Sequence, residues 1–220
     1  MPKDPTNKPS LTDRVMAKTV PVALILGLFL GILVIRDTLK ILNTPPEKFG
    51  SVPGFSLTNQ HDERYGSAEL EGKIWVANFI FTRCKTVCPI FSNAMGRLQT
   101  KTREEFSRGD LQLVSFSVDP AFDTASVLNN YSQRFKAQPG YWHFLTGPTD
   151  SIRAVVMDGL NIYMEDAKTV DEPEQLMHGS HFVLIDSEMA IRGYYPVEDD
   201  GTLDQIMRDI KRIIRAQDQR

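Results

Sequence analysis

The apolar run from Ile74 to Phe81, broken only by Asn78, leads almost directly into Cys84-Lys85-Thr86-Val87-Cys88-Pro89. No other junction constrains the fold as strongly. The run is rich in β-branched and aromatic residues and reads as a buried central strand. Pro89 has no N–H and disfavours a helical conformation at Cys88, so the spacing predicts a helix over about 89–107. Phe91, Met95, Leu98 and Phe106 mark its inward face. Cys84 then lies in the connecting loop and Cys88 at the helix N-terminus. Unsatisfied N–H groups and the positive dipole end stabilise a thiolate there. These are the only two cysteines in 220 residues, and their spacing would arise by chance about one time in a hundred. Strand, dithiol loop and helix make the layout of a redox or metal site.

The flanking pattern supplies the rest of an α/β domain. Phe55 and Leu57 alternate with polar neighbours, and residues 60–66 form a polar turn, which suits a short hairpin or edge strands. Leu111 to Val118 reads as a second core strand, ended by Asp119-Pro120. Asp123-Thr124 caps a helix carrying Val127, Leu128, Tyr131 and Phe135. Tyr141 to Leu145 is a short strand, and Thr149 or Asp150 caps a helix with Ile152, Val155 and Val156. Residues 160–177 read as a long loop with acids Glu165, Asp166, Asp171, Glu172 and Glu174, and loops of that length are usually functional or mobile. His181 to Asp186 and Ile191 to Tyr195 form a hairpin. A closing helix over about 202–215 carries a stripe of Leu203, Ile206, Met207, Ile210, Ile213 and Ile214. The order predicts a central sheet with helices on both faces.

Ahead of this domain lies a candidate membrane anchor. Residues 1–16 are a polar tail, and Ala17 to Ile35 is long and apolar enough to cross a hydrocarbon core of about 30 Å. Val34-Ile35-Arg36-Asp37 offers no small-residue cleavage site, which argues against a removed signal peptide. Lys3, Lys8, Arg14 and Lys18 precede the span, whereas Arg36, Lys40 and Lys48 follow it. That imbalance favours a cytoplasmic N-terminus and an exported domain. The tail lacks the pattern of an organellar transit peptide, so the expected site is a bacterial inner membrane, crossed once, with the domain on the periplasmic side. Residues 36–49 read as a tether and 50–220 as the domain. A net charge of −3 gives no footprint for nucleic acid.

Two cysteines make no disulfide framework, so the thiols are free for chemistry. Structural zinc asks for four ligands and iron–sulfur clusters for more cysteines than are present. Haem attachment through Cys-x-x-Cys-His is absent. A copper site of two sulfurs plus an imidazole, or a disulfide-exchange site, remains. Of four histidines, His61 sits in a polar surface turn and His143 in a short strand, where a structural histidine is the default. His178 and His181 flank Gly179-Ser180 at the edge of a strand, where an imidazole can swing toward a site. Met177 could add a thioether but reads as packing.

In order along the chain, several motifs resemble the SCO/SenC family, thioredoxin-fold copper chaperones for assembly of cytochrome c oxidase. The resemblance spans about residues 50–215. It rests on Phe79-Ile80-Phe81-Thr82-Arg83-Cys84-Lys85-Thr86-Val87-Cys88-Pro89, on Ser117-Val118-Asp119-Pro120 with Phe122-Asp123-Thr124, and on Trp142-His143-Phe144-Leu145-Thr146-Gly147. It also rests on His178, four residues before Phe182-Val183-Leu184-Ile185-Asp186. The resemblance implies a thioredoxin-like fold with an inserted hairpin, preceded by one transmembrane helix. It implies copper, as Cu(I) or Cu(II), held by Cys84, Cys88 and His178. The implied partners are cytochrome c oxidase subunit II, or another copper-receiving subunit, and a copper-donor protein. The second histidine at 181 is a departure from a clean ligand pattern. Relatives of this kind are also proposed to reduce the target's cysteines or to sense redox state. Cys84 and Cys88 would then act as attacking and resolving thiols, in either order. A peroxidase of related fold would place its nucleophile in a different local motif. Asp119 reads as an ordinary strand terminator.

Overall fold

The computed structural model describes residues 26–38, 44–106, 109, 111–164, 181–197 and 201–218. The chain divides into two compact units, Met1–Thr44 and Pro45–Arg220. In the first, residues 26–38 form helix α1. Leu26, Leu28, Phe29, Leu30, Ile32 and Val34 are all exposed and fall on every side of it. Water does not favour a helix that is apolar all round. Residues 17–25 of the expected span, and the expected 1–16 tail, lie outside the described residues. Among the described residues no helix is long and apolar enough to cross a membrane.

The second unit is built around the central run. Strands β1 (Gly50–Ser51), β2 (Ser56–Asn59) and β3 (Arg64–Gly66) are followed by a single helical turn, α2 (Ser67–Leu70). Then come β4 (Ile74–Ile80), α3 (Val87–Glu105), β5 (Leu111–Ser117), α4 (Ala125–Arg134) and β6 (Trp142–Thr146). Helix α5 (Thr149–Arg153) continues as a π-helical turn, Ala154–Gly159. Strands β7 (His181–Ile185) and β8 (Ala190–Pro196) and helix α6 (Thr202–Gln217) complete the order. The strands form one sheet in the order β1-β8-β7-β4-β5-β6-β2-β3. Its centre, β4–β5–β6, is parallel, and β7 runs antiparallel to β4. Every residue of β4 and of β5 is buried, as expected for strands covered on both faces.

Helices do cover both faces. Tyr131 of α4 meets Phe144 of β6 edge-on at 6.0 Å between ring centres, and Tyr195 of β8 donates to Asp209 of α6 at 2.9 Å. The Ser92 hydroxyl of α3 lies 2.9 Å from that of Tyr131, so α3, α4 and α6 share one side. On the other side Phe55 packs on Phe116 and Trp75, and Tyr194 donates to the carbonyl of Leu160 just past the π turn. Asn78, the one polar residue in the apolar run, accepts from Ser115 at 2.6 Å. Ser115 in turn accepts from the Trp142 indole at 2.9 Å. That network satisfies the Asn78 side-chain oxygen, though not its buried Nδ2.

The domain begins earlier than the expected residue 50. The Arg192 guanidinium donates to Asp186 at 2.6 Å and to the carbonyl of Pro46 at 2.7 Å, and the Phe49 N–H donates to Ile191 at 2.9 Å. The last residues of the expected tether are thus fastened to β8.

Candidate metal centre

Where β4 ends, the chain turns tightly: the Cys84 N–H donates to the Phe81 carbonyl at 3.2 Å. Helix α3 starts at Val87, two residues ahead of the expectation. Thr86 is its N-cap residue but its side chain caps nothing. The Cys84 sulfur does so instead, accepting the N–H of Cys88 at 3.4 Å, with the Thr86 hydroxyl 3.7 Å away. The Cys84 sulfur thereby takes the place that a Ser or Asp oxygen fills at most helix starts. Pro89 falls inside the first turn, where its missing N–H costs little.

This geometry makes the two thiols unequal. Both are free and buried. Burial works against a Cys84 thiolate, but the N–H groups of Cys88 and Thr86 and the nearby side chains outweigh it. The Cys84 thiol is held below its ordinary value. Burial pushes the Cys88 thiol well up, against a favourable Phe81 N–H, and the charges of Cys84 and Asp123 push the same way. The expectation placed the stabilised thiolate at Cys88. The structure gives that benefit to Cys84, because the helix N–H of Cys88 points back at the preceding loop and the Cys88 side chain turns into the core.

Two aspartates hold the loop. Asp123 is fully buried and accepts from the N–H of Thr82 at 3.1 Å, from the Thr82 hydroxyl at 2.5 Å and from Ser117 at 2.6 Å. Burial keeps its carboxyl above the usual range despite those donors. It was expected to share in capping α4, but Thr124 alone does so, accepting from Val127. Asp119, expected to be a plain strand terminator, accepts from Arg83 Nε at 2.9 Å and Nη2 at 2.6 Å. The same guanidinium lies 4.8 Å from the centre of the Phe122 ring. The two central residues of the Phe81–Cys84 turn, Thr82 and Arg83, are therefore tied to the loop after β5. Aspartates after a core strand can always be read locally. Only the β4–β5 register, with Ile80 opposite Ser117, reveals these partners.

Cys84 and Cys88 are brought together. His178 and Met177 lie outside the described residues. His181 is the first residue of β7, half-buried and paired with Pro196 of β8. Because β7 is antiparallel to β4, it begins at the end of the sheet where β4 runs into the dithiol loop. His61 is exposed. His143 is remote: it stacks on Tyr65 at 4.0 Å and its Nε2 lies 3.1 Å from Gln112 Oε1, near the start of β5. Burial, with Lys73 adding, holds His143 neutral, its pKa lowered to about 4. Among the described residues no three His, Cys, Asp or Glu side chains gather where they could hold a metal. Two soft sulfurs are present at the dithiol loop.

Comparison with known proteins agrees with this layout. The model of the SCO1/SenC family matches residues 43–215. A SCO1/SenC family lipoprotein from Bacillus anthracis is 34% identical, with a TM-score of 0.68 over 75% of this chain and 95% of that one. BsSco, a member of the Sco family of cytochrome c oxidase assembly proteins in which a disulfide switch is identified, is 27% identical. Its TM-score is 0.68 over 77% of this chain and 97% of its own. Arabidopsis thaliana ScoI, solved with copper bound, is 25% identical, with a TM-score of 0.62 over 75% and 98%. The sheet with its dithiol at the β4–α3 junction is the thioredoxin-type fold of these proteins, and this chain belongs to the SCO1/SenC family.

Proposed function

We propose that the protein is a membrane-anchored metallochaperone that carries copper for cytochrome c oxidase assembly. Cys84 and Cys88 are its thiolate ligands and His178 the third. The observation that carries this reading is the free dithiol, with the Cys84 sulfur accepting a helix N–H. Two thiolates suit a soft ion such as Cu(I), and the imidazole extends the set to either oxidation state. Copper here is cargo. Asp123 and Asp119 fix the loop that presents the sulfurs, and loading copper displaces the thiol protons. Family membership supports the reading, as do the copper bound to the Arabidopsis relative and the oxidase-assembly family of BsSco.

For His178, chain geometry supports the assignment. Three residues reach about 10 Å at most from His181, which opens β7 at the dithiol end. His181 is held in β7 register with Val183 and Ile185. The receiving partner is cytochrome c oxidase subunit II, and a copper-donor protein loads the site. Helix α1, apolar on all sides, supports an anchor over 17–35 in a bacterial inner membrane with the domain outside. A reporter active only outside the cytoplasm, fused after Arg220, should be active. Strong activity of a cytoplasm-only reporter there contradicts the topology.

The unequal thiols favour one second reading, a thiol:disulfide oxidoreductase or redox sensor. The Cys84 thiolate attacks a partner disulfide and forms a mixed disulfide. Cys88 then attacks the Cys84 sulfur, so the partner leaves as a dithiol and this chain is left oxidised. Copper retained after reduction and desalting, together with slow insulin reduction, separates the chaperone from this alternative. Fast reductase turnover without retained copper selects the oxidoreductase.

A further inference from the structure

Helix α3 changes character along its length. From Asn93 onward its exposed positions are polar, among them Arg97, Thr100 and Lys101. In the first turn the exposed positions are Val87 and Ile90, 40% and 60% accessible, beside the buried Cys88. Across the dithiol loop Phe122 is 47% accessible. Its ring is backed by Arg83, whose guanidinium is itself pinned on Asp119. Apolar exposure on these elements is therefore confined to the surroundings of the two sulfurs. Folding gains nothing from it, whereas a docking surface needs it. Arg83 and Lys85 flank Cys84 and are exposed, while Asp119 and Asp123 are buried and occupied by donors from the protein itself. Because Arg83 is paired with Asp119, Lys85 supplies the positive charge of this rim, on a chain of net charge −3.

Resting on the metallochaperone reading, we propose that Val87, Ile90 and Phe122 form the docking surface for the copper-receiving protein. The complementary surface has an apolar centre ringed by carboxylates. The Phe122 ring, held in place by Arg83, is a rigid aromatic anchor of the kind that dominates interface energetics. Lys85 steers an acidic partner toward the sulfurs. Contact over Val87 and Ile90 shuts water out of the space above the dithiol while the metal changes hands.

The test uses the full chain in detergent, loaded with Cu(I), and the reduced apo copper-receiving domain of oxidase subunit II. Ile90→Asp and Phe122→Ser should each bind copper as the wild type does but load the domain about 30-fold more slowly, as loss of an interface anchor does. Lys85→Gln should flatten the salt dependence of wild-type association. If the wild type loads the domain and both variants load it equally fast, the surface is wrong and the function stands. If the wild type holds copper but neither binds nor loads the domain, the proposed function fails and this surface falls with it. Self-association of the wild type that Ile90→Asp abolishes would give the patch to a second copy and overturn the proposal.

Discussion

The two ends of the sheet bury polar groups in opposite ways. At the far end His143 is stacked on Tyr65, bonded to Gln112 and kept neutral by burial. At the dithiol end Asp123 and Asp119 collect donors from a loop distant in sequence and Cys84 takes a helix N–H, and one sulfur is made more acidic while its neighbour is made less so. Burial alone thus does not mark a functional site. Donors converging from separate elements on groups that the loop must hold in place do mark it. His143 is shifted as far as many active-site residues are, yet no donors converge on it.

The sharpest way to break the contrast is Asp123→Ala, which strands the Thr82 and Ser117 donors in the core. It should cost about 3 kcal/mol in urea unfolding and loosen the dithiol loop. Next comes acid. Above the ordinary value of 6.5, His143 is neutral folded and unfolded alike. As pH falls from 6.5 toward about 4, only the unfolded chain takes up the proton, so stability is lost in that window, on the order of 2–3 kcal/mol. His143→Gln should remove that part of the pH slope and leave copper binding alone. Arg83→Ala frees a buried Asp119 carboxylate but removes a partner that is itself 41% exposed. A loss of about 1 kcal/mol is expected, with a perturbed copper charge-transfer band. Smallest is Lys101→Ala, which breaks a pair with Asp204 that is exposed on both sides; the melting point should not move measurably.

Much of the fold was legible in the residues. The unbroken burial of Ile74–Ile80 and the stripe of the closing helix follow from hydrophobic pattern. The site was half legible. Cys84 and Cys88 declared themselves by their spacing, but their inequality depends on which way the Cys88 N–H points. The early start of α3 has the same origin, since a sulfur can cap a helix only once the loop has folded under it. Asp119 and Asp123 were read through near neighbours because those readings are locally sufficient. Their real partners, Arg83 and Thr82, are brought in by strand register. Asn78 looked like a flaw in a strand until Ser115 and Trp142 supplied its network.

The central claim is that the dithiol and His178 together hold copper, and metal retention in histidine variants tests it most directly. Reduced, anaerobic protein should retain about one copper per chain after desalting, as a soft-donor site would. His178→Ala should lose most of that copper and change the charge-transfer spectrum, while His181→Ala keeps both nearly intact. A wild type that retains no copper, or a spectrum unchanged in His178→Ala and lost in His181→Ala, would contradict the account.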